Sequence, residues 1–129
     1  MITGIGVDIC EISRIKRALQ SEHFRQKIYT PEEIAYCEAK GTKKFESYAS
    51  GFAAREAFCK ASGIPLMFVM DANNFSLIRD NGKPSIKLSG KLEAFNESLN
   101  GKIFVSVSHD GDYVCAMVVI ESEEKHYGN

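Results

Sequence analysis

The sequence predicts a single α+β domain, a mainly antiparallel sheet with helices packed on it. Three observations carry that prediction. Alternating apolar runs flank Asn81-Gly82, the strongest short-range hairpin signal, and two further runs begin at Lys102 and Tyr113. Thr30-Pro31-Glu32-Glu33 is a helix start, with Thr as N-cap, Pro at the first position and Glu three residues after the cap. The stretch from Gly51 to Gly63 is rich in Ala, Phe, Arg, Glu and Lys and bounded by glycines, which predicts a helix of about three turns. At 129 residues the chain makes one domain over 1–121, followed by a polar tail over 122–129.

Taken in order, Ile2 to Ile9 is short, β-branched and interrupted by glycine, so it reads as a buried strand. Gly4, Gly6 and Asp8 share one face of it, where something must come close to the backbone. This Gly-x-Gly lacks the third glycine of a dinucleotide fingerprint. Ile12, Ile15, Ala18 and Leu19 have helical spacing. The helix opened by Thr30 carries Ile34, Ala35 and Cys37 and should end near Gly41. Tyr48 then leads into the alanine-rich helix, where Ala53, Ala57 and Ala61 line one side and would admit a second backbone closely. Ile64-Pro65 ends it, and Leu66 to Met70 is apolar. Past the Asn-Gly hairpin, Leu92, Phe95 and Leu99 mark an amphipathic helix closed by Asn100-Gly101.

The totals exclude several classes. A net charge of -1 gives no bulk attraction to nucleic acid or membrane. No apolar run approaches the roughly 20 residues that cross a bilayer, and the N-terminus lacks the pattern of a signal peptide. Cys10, Cys37, Cys59 and Cys115 are scattered without a Cys-x-x-Cys pair, as reduced thiols of a cytoplasmic protein would be. Charge is nevertheless uneven. Between Arg14 and Lys44, eight basic residues, Arg17 and Arg25 among them, stand against four acidic ones. Such a stretch is either a solvated face or a landing surface for an acidic macromolecule.

Three spots could carry chemistry. Asp8 is a helix cap or a metal ligand. Glu56 and Lys60, four apart on one helix face beside Phe52, are a surface ion pair worth a few tenths of a kcal/mol or part of a site. His109, at the end of a strand, is structural or a phosphate contact. Two carboxylates with waters and a phosphate are how proteins usually hold Mg²⁺, and a nearby Lys supplies a point charge for phosphate oxygens. Spacing alone leaves both readings of each spot open.

Three segments in order, Gly4 to Ile15, Phe52 to Ala61 and Val105 to Asp110, together resemble the bacterial holo-acyl-carrier-protein synthases of the 4'-phosphopantetheinyl transferase family. The hairpin Asn81-Gly82-Lys83-Pro84 is also a family feature, and the resemblance covers essentially the whole chain. It implies the family's fold and its reaction, in fatty acid and lipid biosynthesis. The 4'-phosphopantetheine arm of coenzyme A passes to a serine of apo-acyl carrier protein, and adenosine 3',5'-bisphosphate is released. By the same resemblance Asp8 and Glu56 are Mg²⁺ carboxylates, and Lys60 contacts phosphate. His109 and Pro84 lie on the coenzyme side, His109 toward the 3'-phosphate. Arg14 falls on the carrier-docking helix, with Arg17 and Arg25 in the same basic stretch. The resemblance further implies a homotrimer with sites at subunit interfaces, Asp8 and Glu56 from one chain and His109 from its neighbour. The base that takes the serine proton stays open among Lys60, a water on the metal and another carboxylate.

The chain departs from the family pattern at four places. Arg55 replaces a common Lys, Gly51 stands where some relatives are basic, and Ser62-Gly63-Ile64-Pro65 replaces a glycine-threonine-glycine run. Cys10 stands where larger relatives carry an acid, and a thiol is a poor Mg²⁺ ligand. Two other activities use similar residues: a Mg²⁺-dependent nucleotide pyrophosphate hydrolase, and a non-catalytic module that binds an acidic partner.

Overall fold

In the computed structural model, which describes residues 1–123, strand β1 (Ile2–Glu11) pairs antiparallel with β5 (Tyr113–Ser122). β5 in turn pairs antiparallel with β4 (Gly101–Asp110), giving the order β1-β5-β4. A second, two-stranded sheet is the hairpin of β2 (Phe75–Asp80) and β3 (Lys83–Leu88). Its turn residues Asn81 and Gly82 both have positive φ (51° and 81°), the backbone that matches the twist of the flanking strands. Helices α1 (Ile12–Ala18), α2 (Glu22–Ile28), α3 (Pro31–Glu38), α4 (Lys44–Ser62) and α5 (Leu66–Val69) lie between β1 and β2. Helix α6 (Glu93–Leu99) precedes β4 and ends at Asn100 in the left-handed region. The α+β architecture expected from the sequence is the one observed. Among the described residues no helix is long and apolar enough to cross a membrane.

Pleat parity sorts the three-stranded sheet. Val114, Ala116, Val118 and Ile120 of β5 are buried toward α4. Gly4, Gly6, Asp8 and Cys10 of β1 share that face, whereas Ile5, Val7 and Ile9 point away and are more than half exposed. Glycine at positions 4 and 6 is what lets α4 lie directly on β1. A Cβ added at Gly6 would sit 1.9 Å from the Ala57 carbonyl oxygen, and one at Gly4 would sit 1.9 Å from that of Ala61. The expected close approach between the glycine face and the alanine row is therefore real. Behind α4, Phe58 packs on Phe75 and Phe95, with ring centroids 5.5 and 5.9 Å away.

Several expectations need correction. Helix α4 runs 19 residues from Lys44, so Gly51 is internal and Tyr48 lies inside the helix. A helical glycine costs about 1 kcal/mol against alanine. Here it makes room, since a Cβ at Gly51 would come within 3.4 Å of Glu33, Tyr29 and Arg55. Gly63 does close the helix, at φ 76°. Strand β1 continues to Glu11, so Asp8 is a strand residue and caps no helix. Helix α3 ends at Glu38, and a short 3-10 turn over Gly41–Lys43 bridges it to α4. Helices α2 and α5 were not foreseen, because seven and four residues are too few to show a period. β5 includes Ser122, which exchanges backbone bonds with Met1, whereas residues 124–129 of the expected tail lie outside the described residues.

The Thr30 capping box forms as read, and its Glu33 has a second role. Arg55 and Glu33 are both fully buried and bonded through two pairs of atoms, at 2.6 and 2.9 Å. The Arg55 guanidinium also donates to the carbonyls of Ile28, Gly51 and Phe75, and it lies between the rings of Tyr29 and Phe75. This one side chain therefore ties the C-terminal end of α2, the start of α3 and the start of β2 to the middle of α4. A lysine, a point charge on a flexible stem, could not occupy all those acceptors at once.

Candidate active site

Asp8 and Glu56 face each other where α4 crosses β1. Lys60, one helical turn beyond Glu56, donates to Asp8 Oδ1 at 3.1 Å and to the Val7 carbonyl at 3.0 Å. The Glu56–Lys60 surface pair that helical spacing allows is not among the ion pairs formed. Lys60 reaches across to the strand because the glycine face brings β1 within its span. The Asp8 side chain is 12% exposed and that of Lys60 58%, so the carboxylate is largely shielded while the lysine stays open to solvent.

Burial pushes the Glu56 carboxyl above its usual range, and the neighbouring Asp8 charge adds to the rise. Arg14 and Lys60 oppose the shift, and a hydrogen bond shared with Asp8 favours the protonated form. Two hard oxygen donors held this close in a half-buried place suit a divalent cation, whose charge would relieve the repulsion. Among the described residues no group of three or more His, Cys, Asp and Glu is placed to cage a metal. A cation on Asp8 and Glu56 would therefore draw its other ligands from water and substrate, which is the habit of Mg²⁺. Cys10, two residues along the same face, is 2% exposed, and burial pushes its thiol up to about 11. It stays a thiol beside the carboxylates, and all four cysteines are free.

His109 and Pro84 meet elsewhere. They line a cleft of about 160 Å³ together with Glu46, Ser50 and Arg79. His109 lies on the α4-facing side of the sheet, in the row Cys10–Val114–His109. Two strand spacings of about 5 Å each thus separate its backbone from β1. Glu46 in the first turn of α4 is 3.1 Å from His109 Nε2, and ten helical residues, about 15 Å of rise, lie between Glu46 and Glu56. One chain therefore carries the two groups near opposite ends of one helix, and Asp8, Glu56 and Lys60 are not brought to His109. Glu46 was not picked out from the sequence. Its partner is on a distant strand, and no local spacing marks it.

The basic stretch is uneven in three dimensions. Arg14 and Arg17 are exposed on α1, and the Arg14 guanidinium lies 5.7 Å from the centre of the Phe52 ring. Arg25 is held more tightly, bonded to Glu22 at 2.6 Å and lying over the Tyr48 ring.

Comparison with known proteins places the chain in a family. Residues 4–118 match the model of the 4'-phosphopantetheinyl transferase superfamily. A holo-[acyl-carrier-protein] synthase of Geobacter sulfurreducens is 40% identical over 125 residues, covering 94% of this chain and 98% of that protein. Among solved structures, the synthase of Neisseria meningitidis aligns with a TM-score of 0.82 at 33% identity, over 95% of this chain and all of that one. The synthase of Bacillus anthracis, solved in complex with CoA (3',5'-ADP), aligns at 0.77 and 32% identity, over 95% and 99%. Matching over nearly its full length in both sequence and fold, the chain belongs to the 4'-phosphopantetheinyl transferase superfamily and is a transferase.

Proposed function

We propose that this enzyme transfers the 4'-phosphopantetheine group of coenzyme A to a serine hydroxyl of apo-acyl carrier protein, releasing adenosine 3',5'-bisphosphate. The observation that carries the reading is the Asp8–Glu56 carboxylate pair with Lys60 bonded to Asp8, in a chain alike over its whole length to holo-acyl-carrier-protein synthases. Asp8 and Glu56 would hold Mg²⁺, which when bound neutralises pyrophosphate charge. Lys60 spends two of its three N–H donors on Asp8 and Val7 and has one left for a phosphate oxygen. The serine oxygen attacks the phosphorus on the pantetheine side, and the bond to the adenosine-side phosphate breaks. Such a displacement is helped chiefly by alignment and fixed positive charge.

Pro84 and His109 would receive the adenosine end, His109 toward the 3'-phosphate. The separation of the two half-sites on one chain supports assembly as a homotrimer, in which the cleft of one subunit completes the carboxylate site of the next. So does the exposed apolar face of the sheet, where Ile5 and Phe104 flank Val119, and Val7 pairs with Met117. Arg14 and Arg17, exposed on α1, are suited to an acidic carrier protein.

The test is mass spectrometry of apo-acyl carrier protein incubated with coenzyme A, Mg²⁺ and the enzyme. The carrier should gain the mass of one phosphopantetheine, and excess EDTA should abolish the gain. A carrier of unchanged mass beside consumed coenzyme A would instead indicate a hydrolase.

A further inference from the structure

Glu46 belongs to neither carboxylate of the proposed metal site, yet it is the charged residue placed against His109. Its Oε1 lies 3.1 Å from His109 Nε2, and the two side chains are 28% and 53% exposed. Both line the cleft that also holds Pro84 and Ser50. On its other side Glu46 borders a groove lined also by Lys16, Lys43 and Asp112. An imidazole has two nitrogens, and a carboxylate at one of them fixes the ring and leaves the other to a ligand. Among the described residues His109 Nδ1 has no hydrogen-bond partner. A carboxylate has no attraction for a phosphate, so in a cleft proposed to receive one Glu46 calls for a different purpose.

We propose that Glu46 is a positioning residue. It holds the His109 ring by Nε2 so that Nδ1 meets the 3'-phosphate of coenzyme A, and the pair discriminates coenzyme A from its 3'-dephospho form. The proposal rests on the reading that this cleft receives the adenosine 3'-phosphate. With Nε2 turned to Glu46 at 3.1 Å, the ring presents Nδ1 on its other side, where it can donate to a phosphate oxygen. Without Glu46 the exposed imidazole is free to rotate about its side-chain torsions, and the donor is no longer pre-set.

The experiment measures kcat and KM with coenzyme A and with 3'-dephospho-coenzyme A for the native enzyme and for Glu46→Ala, Glu46→Gln, His109→Ala and the double Ala variant. The preference is the ratio of the two kcat/KM values. Glu46→Ala should lower that ratio about tenfold, chiefly through KM for coenzyme A. The double variant should be no worse than His109→Ala alone. Glu46→Gln, which keeps an oxygen for Nε2–H, should stay within about threefold of the native ratio and shows that the fold tolerates a change there. Equal losses on both substrates, or additive losses in the double variant, would overturn the positioning role alone. If His109→Ala kept the native preference, the placement of the 3'-phosphate in this cleft would fall as well.

Discussion

Gly6 and Ala57 approach so closely that the strand has no room for a single methyl group: a Cβ on Gly6 would lie 1.9 Å from the Ala57 carbonyl oxygen and 2.8 Å from the Ala61 nitrogen. Both obstacles are backbone, which cannot rotate aside. Gly6→Ala should therefore cost about 3 kcal/mol or more, at the top of the range for overpacked cores. The denaturant midpoint measures it. Gly111→Ala, in an open turn at φ 58°, should cost only about 1–2 kcal/mol for the left-handed backbone. Equal costs would mean that α4 can back away from β1.

The same closeness makes Glu56 a destabilising residue. Its folded carboxyl titrates above the unfolded one, because burial and Asp8 oppose the charge. Its contribution to stability is thus fully present below about pH 4.5 and is lost as pH rises through the raised folded value. At neutral pH, without divalent metal, Glu56→Gln should raise the melting temperature while nearly abolishing transfer. Mg²⁺ should stabilise the native enzyme and leave the variant unmoved. Near-normal turnover by the variant at saturating Mg²⁺ would refute the metal role.

Arg55 stabilises the neighbourhood of Glu56 without facing the site. Arg55→Met would leave the buried Glu33 carboxylate uncompensated, and breaking such a pair costs about 3–5 kcal/mol. Arg55→Lys keeps the charge but not the fork, and should fall between the native protein and Arg55→Met in a urea titration. A native midpoint for Arg55→Lys would show that charge alone suffices.

If the exposed sheet face is the subunit interface, one charge in its middle should disperse the trimer. Val7 is 53% exposed and pairs with Met117, itself 46% exposed. Val7→Glu should give a folded monomer by light scattering with little transferase activity. A fully active monomer would show that one chain contains a complete site.

Arg14 and Arg25 should separate docking from folding. Arg14→Glu should raise KM for the carrier protein more than KM for coenzyme A. Arg25→Glu should also lower the melting temperature, since it loses Glu22 and the Tyr48 ring. Equal rises in both KM values for Arg14→Glu would move the docking surface off α1.

Local signals were read correctly where the physics is local. The Asn81-Gly82 turn, the Thr30–Glu33 capping box and the closing glycine at 63 each depend on neighbours within four residues. Gly51 misled for the opposite reason. It resembles helix punctuation, but it is small because the buried Arg55–Glu33 pair occupies the space beside it. Asp8, Glu56 and Lys60 were legible as candidates from their chemistry and from resemblance. Which of them bond to each other was not, because helical spacing favoured Glu56–Lys60 and the fold made Lys60–Asp8 across 52 positions.

The sequence by itself determined the Thr30 cap, the Asn81-Gly82 hairpin and the closing Gly63, since each follows from a few adjacent side chains, and it offered Asp8, Glu56, Lys60 and His109 as candidates. Only the tertiary structure decided that Asp8, Glu56 and Lys60 share one end of α4 while His109 and Glu46 share the other. The physical reason is contact. Two missing side chains on β1 let the backbone of α4 lie directly on the strand, and that closeness puts Lys60 within reach of Asp8.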